Sequence, residues 1–240
     1  MTFMRSPRAS RPIQLALVTL VALFGAIIAL AVADARDASA HGNPQHVTGA
    51  STVHGHGPIV TPRTVAFHDE MRRVWEDHVT WTRLAIISLT TGAPDTDATV
   101  GRLLKNQADI GDAIKPFYGD AAGQELTRLL REHILIAADL IAAAKAGNQT
   151  AVAEAQARWT ANADEIAGFL AAANPRSWQL DEMKEMLHEH LRLTTSEVLA
   201  RLHADWAADV AAYDEIHLQA LGMADMLSNG IIKQFPSRFH

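Results

Sequence analysis

The residues of this chain with the clearest chemical potential are histidines set among apolar residues at helical spacing. Four of them are followed at once by an aliphatic residue and have further apolar residues three or four positions away. On an α-helix these offsets place the imidazole in the stripe that faces the core. The four are His78, His133, His190 and His217. Because neutral imidazole is a ligand for zinc, copper and iron, the pattern predicts a buried transition-metal site, with iron, copper or zinc as the ion.

Carboxylates near these histidines could complete such a site. Two glutamates precede a histidine of the set by one or two positions, and Asp214 stands three positions before His217. Three positions is the spacing of the Glu and His ligand pairs in di-iron helical bundles, although the other glutamates of that pattern have no counterparts at matching positions. The candidate acidic ligands are Glu76, Glu132 and Asp214.

The same histidines allow two other interpretations. An imidazole on an apolar helix face can be a structural core residue that bonds a carbonyl or a carboxylate, and the domain would then be a non-catalytic interaction module of the cell envelope. A metal-dependent oxidase or hydrolase is the third hypothesis, and it requires an open coordination position beside a pocket. The chain has no Gly-x-Ser-x-Gly motif and no phosphate-binding glycine loop, so no catalytic residue and no particular reaction is predicted.

The elements that must position these residues are helices, because apolar residues recur at i, i+3 and i+4 from Thr64 onward. We expect a helix break at Lys115-Pro116, since proline lacks a backbone donor. Thr194 with Glu197 resembles a capping box and predicts a kink or a new helix there. The expected helices run from about 64 to 90, from a cap at Asp95 or Thr96 to 115, from 120 to 145, from beyond Gly147-Asn148 to about 173, from 181 to the capping box at 194, and from about 196 to 234. No segment alternates with period two, so the predicted fold class is all-α, an antiparallel four-helix-type bundle with extra short helices.

The first 40 residues have the features of an export signal or membrane anchor. Three arginines precede an uncharged apolar run over 13–33, and Ala38-Ser39-Ala40 offers small residues where a signal peptidase cuts. A run of about 20 residues can also span a bilayer as an uncleaved anchor helix. Basic residues on its N-terminal side predict that the rest of the chain lies outside the cytoplasm, secreted or anchored to the outer face of the cytoplasmic membrane.

The predicted organisation follows: a signal peptide or anchor over 1–40, a linker rich in His, Gly and Pro over 41–63, and a helical bundle over 64–240. The formal net charge of the chain is -6, and an acidic surface repels phosphate backbones, so no nucleic-acid partner is expected. The chain has no cysteine, which excludes disulfides and thiolate ligands. A metal ion is the expected partner, and membrane contact is expected only through the N-terminal segment.

Six strings in the bundle carry a resemblance to known sequences. They are WEDHVTWTRL (75–84), NQADIGDAIKPFYG (106–119), EHILIAADL (132–140), ANADEIAGFL (161–170), HEHLRLT (188–194) and MADMLSNGIIKQFP (223–236). Together they make residues 64–239 similar to an uncharacterised family of small bacterial helical-bundle proteins. Its members often carry the labels glycosyltransferase or acetylglutamate kinase, and this chain has no motif for either activity. Relatives can have an acidic residue where this chain has His217. The resemblance implies a helical fold and no particular reaction.

Overall fold

The helical domain is seen in a computed structural model that describes residues 60–240. The predicted signal or anchor over 1–40 and most of the predicted linker over 41–63 lie outside the described residues. Residues 60–240 contain five α-helices and no strand, which confirms the all-α class. The elements are α1 (Pro62–Thr91), α2 (Thr96–Lys145), α3 (Gln149–Ala173), α4 (Leu180–Leu202), α5 (Trp206–Gln234) and a 3-10 turn (Pro236–Arg238). In this part of the chain, no helix is long and apolar enough to cross a bilayer.

Helix α2 consists of two arms that meet at Gly119, where φ is 87° and ψ is 169°. The expected break at Lys115-Pro116 is therefore wrong by a few residues, because the helix continues through Pro116. Proline removes one donor but keeps a helical φ, whereas the positive φ at the reversal favours glycine. The arms, residues 96–118 and 120–145, run back along each other.

The expected kink at Thr194–Glu197 is also wrong, because α4 continues unbroken to Leu202. The Thr194 hydroxyl donates to the carbonyl of His190 at 2.8 Å, a bond made within the helix rather than at its end. The chain turns instead just before α5, where Ala204 has a φ of 57° and the Asp205 carboxylate accepts a hydrogen bond from the Ala208 amide. Aspartate is a favoured N-cap, and here it begins the last helix.

Three antiparallel helical hairpins make up the bundle. The first is α1 with the 96–118 arm, the second is the 120–145 arm with α3, and the third is α4 with α5. Contacts join α1 to α2, α2 to α3, α3 to α4, α4 to α5 and α5 back to α1, so the helices close around one core. The expected four long helices with short additions are thus five long helices, of which the second is bent into two rods.

The C-terminal residues close one end of the described bundle. The Thr61 hydroxyl, at the start of α1, donates to the carbonyl of Phe239 at 2.6 Å. The ring of Phe239 stacks on Phe117 with centroids 5.5 Å apart and also contacts Phe67 at 5.3 Å. These contacts tie the last turn to the end of the first α2 arm and to the beginning of α1.

A candidate three-histidine site

Three of the four predicted histidines meet at the centre of the bundle. His78 comes from α1, His133 from the second α2 arm and His190 from α4, one from each hairpin, and all three are buried. The ring centroids of His78 and His190 are 5.9 Å apart, and those of His133 and His190 are 6.4 Å apart. The structure therefore forms a single histidine layer, defined here as His78, His133 and His190.

Each ring of the histidine layer bonds through Nδ1 to a side-chain amide that follows it by 29 residues. Nδ1 of His133 lies 2.8 Å from Oδ1 of Asn162, and Nδ1 of His190 lies 3.0 Å from Oε1 of Gln219. A carbonyl oxygen only accepts, so Nδ1 carries the proton in these two rings and Nε2 carries the lone pair. The tautomer is thereby set by the opposite helix of the same hairpin.

The amides are themselves held in place by the backbone. In every hairpin, an amide NH2 donates to the carbonyl of the residue four positions before the histidine. The bonds are Asn106 Nδ2 to Val74 O at 2.9 Å, Asn162 Nδ2 to Leu129 O at 3.2 Å and Gln219 Nε2 to Met186 O at 3.0 Å. Since both ends of the amide are bonded, the orientation of the imidazole is fixed rather than adjustable.

In the first hairpin, two neighbouring amides make the bonds to the backbone carbonyl and to the histidine. Asn106 bonds the backbone, while Gln107 places Nε2 at 3.3 Å from Nδ1 of His78 and also donates to the Leu103 carbonyl. The Gln107 Oε1 atom is buried with no hydrogen-bond partner among the described residues. Because the Gln107 NH2 faces Nδ1, Nδ1 of His78 accepts this hydrogen bond and the proton lies on Nε2, the opposite tautomer to the other two rings.

The repeat extends beyond the polar layer. Ile86, Ile141 and Val198, each eight positions after a layer histidine, pack together in one apolar cluster. The sequence interpretation missed this threefold repeat and the amide partners Gln107, Asn162 and Gln219. The recurring separation of 29 residues from His to Gln or Asn is the signal that could have revealed them.

Burial keeps the layer uncharged. Loss of solvation lowers the pKa of His78 to about 3, and the neighbouring His190 and His133 rings lower it further in the same direction. Burial and then His190 lower the pKa of His133 to about 3, and burial lowers the pKa of His190. The imidazoles are therefore neutral at physiological pH, and a neutral imidazole is the form that binds a metal.

The other predicted ligands lie away from the layer, contrary to expectation. The His217 side chain is 33 % exposed, with Nε2 at 3.4 Å from Oε1 of Glu76 on the surface. Glu132 pairs with Arg128 at 3.0 Å and is exposed, as is Asp214. The reason is helix rotation: Gln219 faces the layer, so His217, two positions earlier, points about 200° around the helix.

The spacing of the rings can be compared with that of a metal centre. Within residues 60–240, no group of three or more His, Cys, Asp or Glu side chains is arranged to hold a metal ion. Three imidazoles on one zinc, with Zn–N bonds of about 2.0–2.1 Å, would have ring centroids about 5–5.5 Å apart. The observed separations of 5.9 and 6.4 Å are wider than this by about 0.5–1.5 Å.

A second buried polar cluster lies one to three helical turns along from the layer, and the sequence interpretation missed it. Arg83 contacts Glu197 at 2.7 Å and Asp209 at 3.0 Å, and Arg201 contacts Asp209 at 2.9 Å. Burial raises the pKa of Glu197 to about 7 and outweighs the attraction of Arg83, and the like charge of Asp209 also raises it. Glu197 had been interpreted as part of a helix cap.

Comparisons of the chain with protein-family models, with curated proteins and with solved structures find no match. What can be inferred about the histidine layer therefore rests on its own chemistry: three neutral imidazoles, buried side by side, each with Nδ1 bonded to an amide.

Proposed function

We propose that this protein binds one transition-metal ion, of the zinc, copper or iron class, through Nε2 of His78, His133 and His190. The observation that carries the proposal is the threefold recurrence of a buried imidazole whose Nδ1 is bonded to an amide on the facing helix. The metal would serve storage, sensing or redox protection outside the cytoplasm, and the location is proposed from the features of residues 1–40.

The first support is the pattern of hydrogen bonds in the layer. Only Nδ1 of each ring takes part in a hydrogen bond with the described residues. Nε2 is therefore the ring nitrogen left for a ligand. A single cation could bind all three Nε2 atoms, which gives a physical reason to bury three imidazoles side by side.

The second support is the way in which the rings are prepared for a ligand role. Proteins commonly fix a metal-binding imidazole by hydrogen-bonding its other nitrogen, which sets the tautomer and the ring orientation. Asn162 and Gln219 do this for His133 and His190. At His78 the Gln107 NH2 faces Nδ1 instead, so this ring would have to move its proton from Nε2 to bind a metal through that atom.

The third support is protonation. Metal binding competes with protons for the imidazole lone pair. Burial lowers the pKa of His78 and His133 to about 3, so both rings are already neutral at pH 7. Metal binding therefore does not have to displace a proton from an imidazolium. Binding would still require the rings to approach one another by about 0.5–1.5 Å for the two measured pairs.

Metal analysis of the protein purified from cells, and of the metal-free protein titrated with Co²⁺, tests the proposal. We expect about one ion per chain and visible absorption bands from bound Co²⁺. His133→Asn should abolish binding, whereas His217→Asn should leave it unchanged. Circular dichroism will show whether each variant is folded. If folded wild-type protein neither retains nor takes up metal, and chelator leaves its Tm unchanged, the proposal is wrong.

The amides provide a second test that keeps all three ligands. Asn162→Leu removes the acceptor of His133 Nδ1, and loss of such a partner typically weakens metal affinity by about 10–100-fold. Gln124→Leu, at an exposed position of the same hairpin, is the matched control. Equal affinities of the two variants would contradict the role assigned to the amides.

Two other functions are outcomes of the same experiments. The rings stand slightly wider than on a metal, and each already has an amide partner, so a purely structural layer in a non-catalytic envelope module also accounts for these contacts. Absence of metal binding would support this structural interpretation.

A metal-dependent oxidase or hydrolase requires a coordination position open to a pocket. Catalytic turnover by the metal-loaded protein would support that function.

A further inference from the structure

An apolar cavity lies next to the histidine layer. Its walls include Trp75, Leu130 and Leu187, each three positions before a layer histidine and therefore one helical turn away. All three hairpins thus contribute to the cavity, which lies along the same central axis. The cavity volume is ≈ 20 Å³, which exceeds the roughly 10–15 Å³ that a cavity needs in order to hold a molecule of the size of water.

The chemistry of the walls restricts what can enter. The amide-bearing helices contribute Ile110, Ile166 and Met223 to the lining, and no charged side chain of residues 60–240 takes part in it. The one hydroxyl in the lining, on Tyr118, is bonded to Oε1 of Gln234 at 2.6 Å. Apolar cavities stay dry and bind apolar atoms or molecules, so an occupant must be small and uncharged.

The opposite side of the histidine layer is filled. There Ile86, Ile141 and Val198 pack together, with Leu89 and Leu202 against them. The cavity therefore lies on the side of the layer opposite this cluster, toward Leu130 and Leu187.

We propose that this cavity binds an uncharged diatomic molecule, of the class of dioxygen or nitric oxide, and leads it to the histidine layer. Binding in the cavity stands independently of any metal. Delivery to a metal rests on the proposed function, because three imidazoles leave at least one coordination position for a further ligand.

Xenon, an uncharged apolar atom, tests the cavity in metal-free protein, either in pressurised crystals or by ¹²⁹Xe NMR. We expect one xenon atom beside Leu130. Leu130→Phe should fill the space and remove it, Leu130→Ala should enlarge the space and raise its occupancy, and Ile141→Val, beyond the layer, should leave it unchanged. If neither wild type nor folded Leu130→Ala binds xenon at this position, the cavity proposal is overturned.

Nitric oxide added to Fe²⁺-loaded protein tests delivery. We expect a new visible absorption band in the wild type, and slower formation of that band in Leu130→Phe at unchanged metal content. Equal rates in the two proteins would overturn delivery and leave the metal site standing. If the protein binds xenon but retains no metal, the cavity site stands, and both delivery and the proposed function fail.

Discussion

Nδ1 of His133 donates to Oδ1 of Asn162 at 2.8 Å, across the two helices of the second hairpin. The pair recurs at the same separation of 29 residues in both other hairpins. The chain therefore builds its centre by using one helical hairpin pattern three times. Each copy supplies a single imidazole, so the layer exists only when all three hairpins are packed together.

The histidine layer should make the metal-free protein unstable in acid. Burial lowers the pKa of His78 and His133 from 6.5 to about 3, so below pH 6.5 the unfolded chain binds protons that the folded chain does not. Stability is then lost as the pH falls, by up to about 1.4 kcal/mol per pH unit for each histidine. The free energy of unfolding, measured with urea between pH 7 and 4, checks this.

A matched pair of variants assigns that dependence to the layer. In metal-free protein, His133→Asn should reduce the slope of the free energy of unfolding against pH, by the amount that the uptake of one proton contributes. Gln124→Asn, at an exposed position without a titratable group, should leave the slope unchanged. The assignment is wrong if the two variants have the same slope.

Glu197 should have the opposite pH dependence. Its pKa is raised from 4.5 to about 7, so its contribution to stability is full below pH 4.5 and is lost as the pH rises through 7. Glu197→Gln removes this loss. The change that it causes in the free energy of unfolding should therefore be more favourable at pH 8 than at pH 4.5, by up to about 3 kcal/mol. Urea unfolding at both pH values measures the difference. Glu189→Gln, in an exposed pair with Arg192, should change stability little at either pH, and a matching effect there would contradict the prediction.

The close approach of the two α2 arms depends on Gly111 and Gly123. A Cβ atom on Gly123 would lie 2.6 Å from the carbonyl oxygen of Gly111, and one on Gly111 would lie 2.5 Å from that of Gly123. Gly123→Ala should therefore destabilise the protein by roughly 1–3 kcal/mol. Thermal and urea unfolding check this value.

Gly101→Ala is the matched control on the same helix, because no heavy atom lies within 4 Å of the added Cβ. There alanine should stabilise the helix by roughly 0.5–1 kcal/mol. Equal effects at positions 101 and 123 would show that the two arms do not touch through these glycines.

The sequence alone determined the class of the fold and most of the histidine layer. Apolar spacing of three and four residues specifies helices, and it correctly assigned His78, His133 and His190 to inward faces. This works because a core stripe about 100° wide tolerates small errors in helix rotation when the histidine lies near its middle.

Tertiary structure decided the rest. His217 lies on the surface because Gln219 occupies the inward position on α5, and each residue turns a helix by about 100°. The partners Asn162 and Gln219 could not be assigned from local pattern, because they meet their histidines only after a hairpin folds. Periodicity specifies which face of a helix is apolar, but contacts between helices decide which polar atoms on neighbouring faces meet.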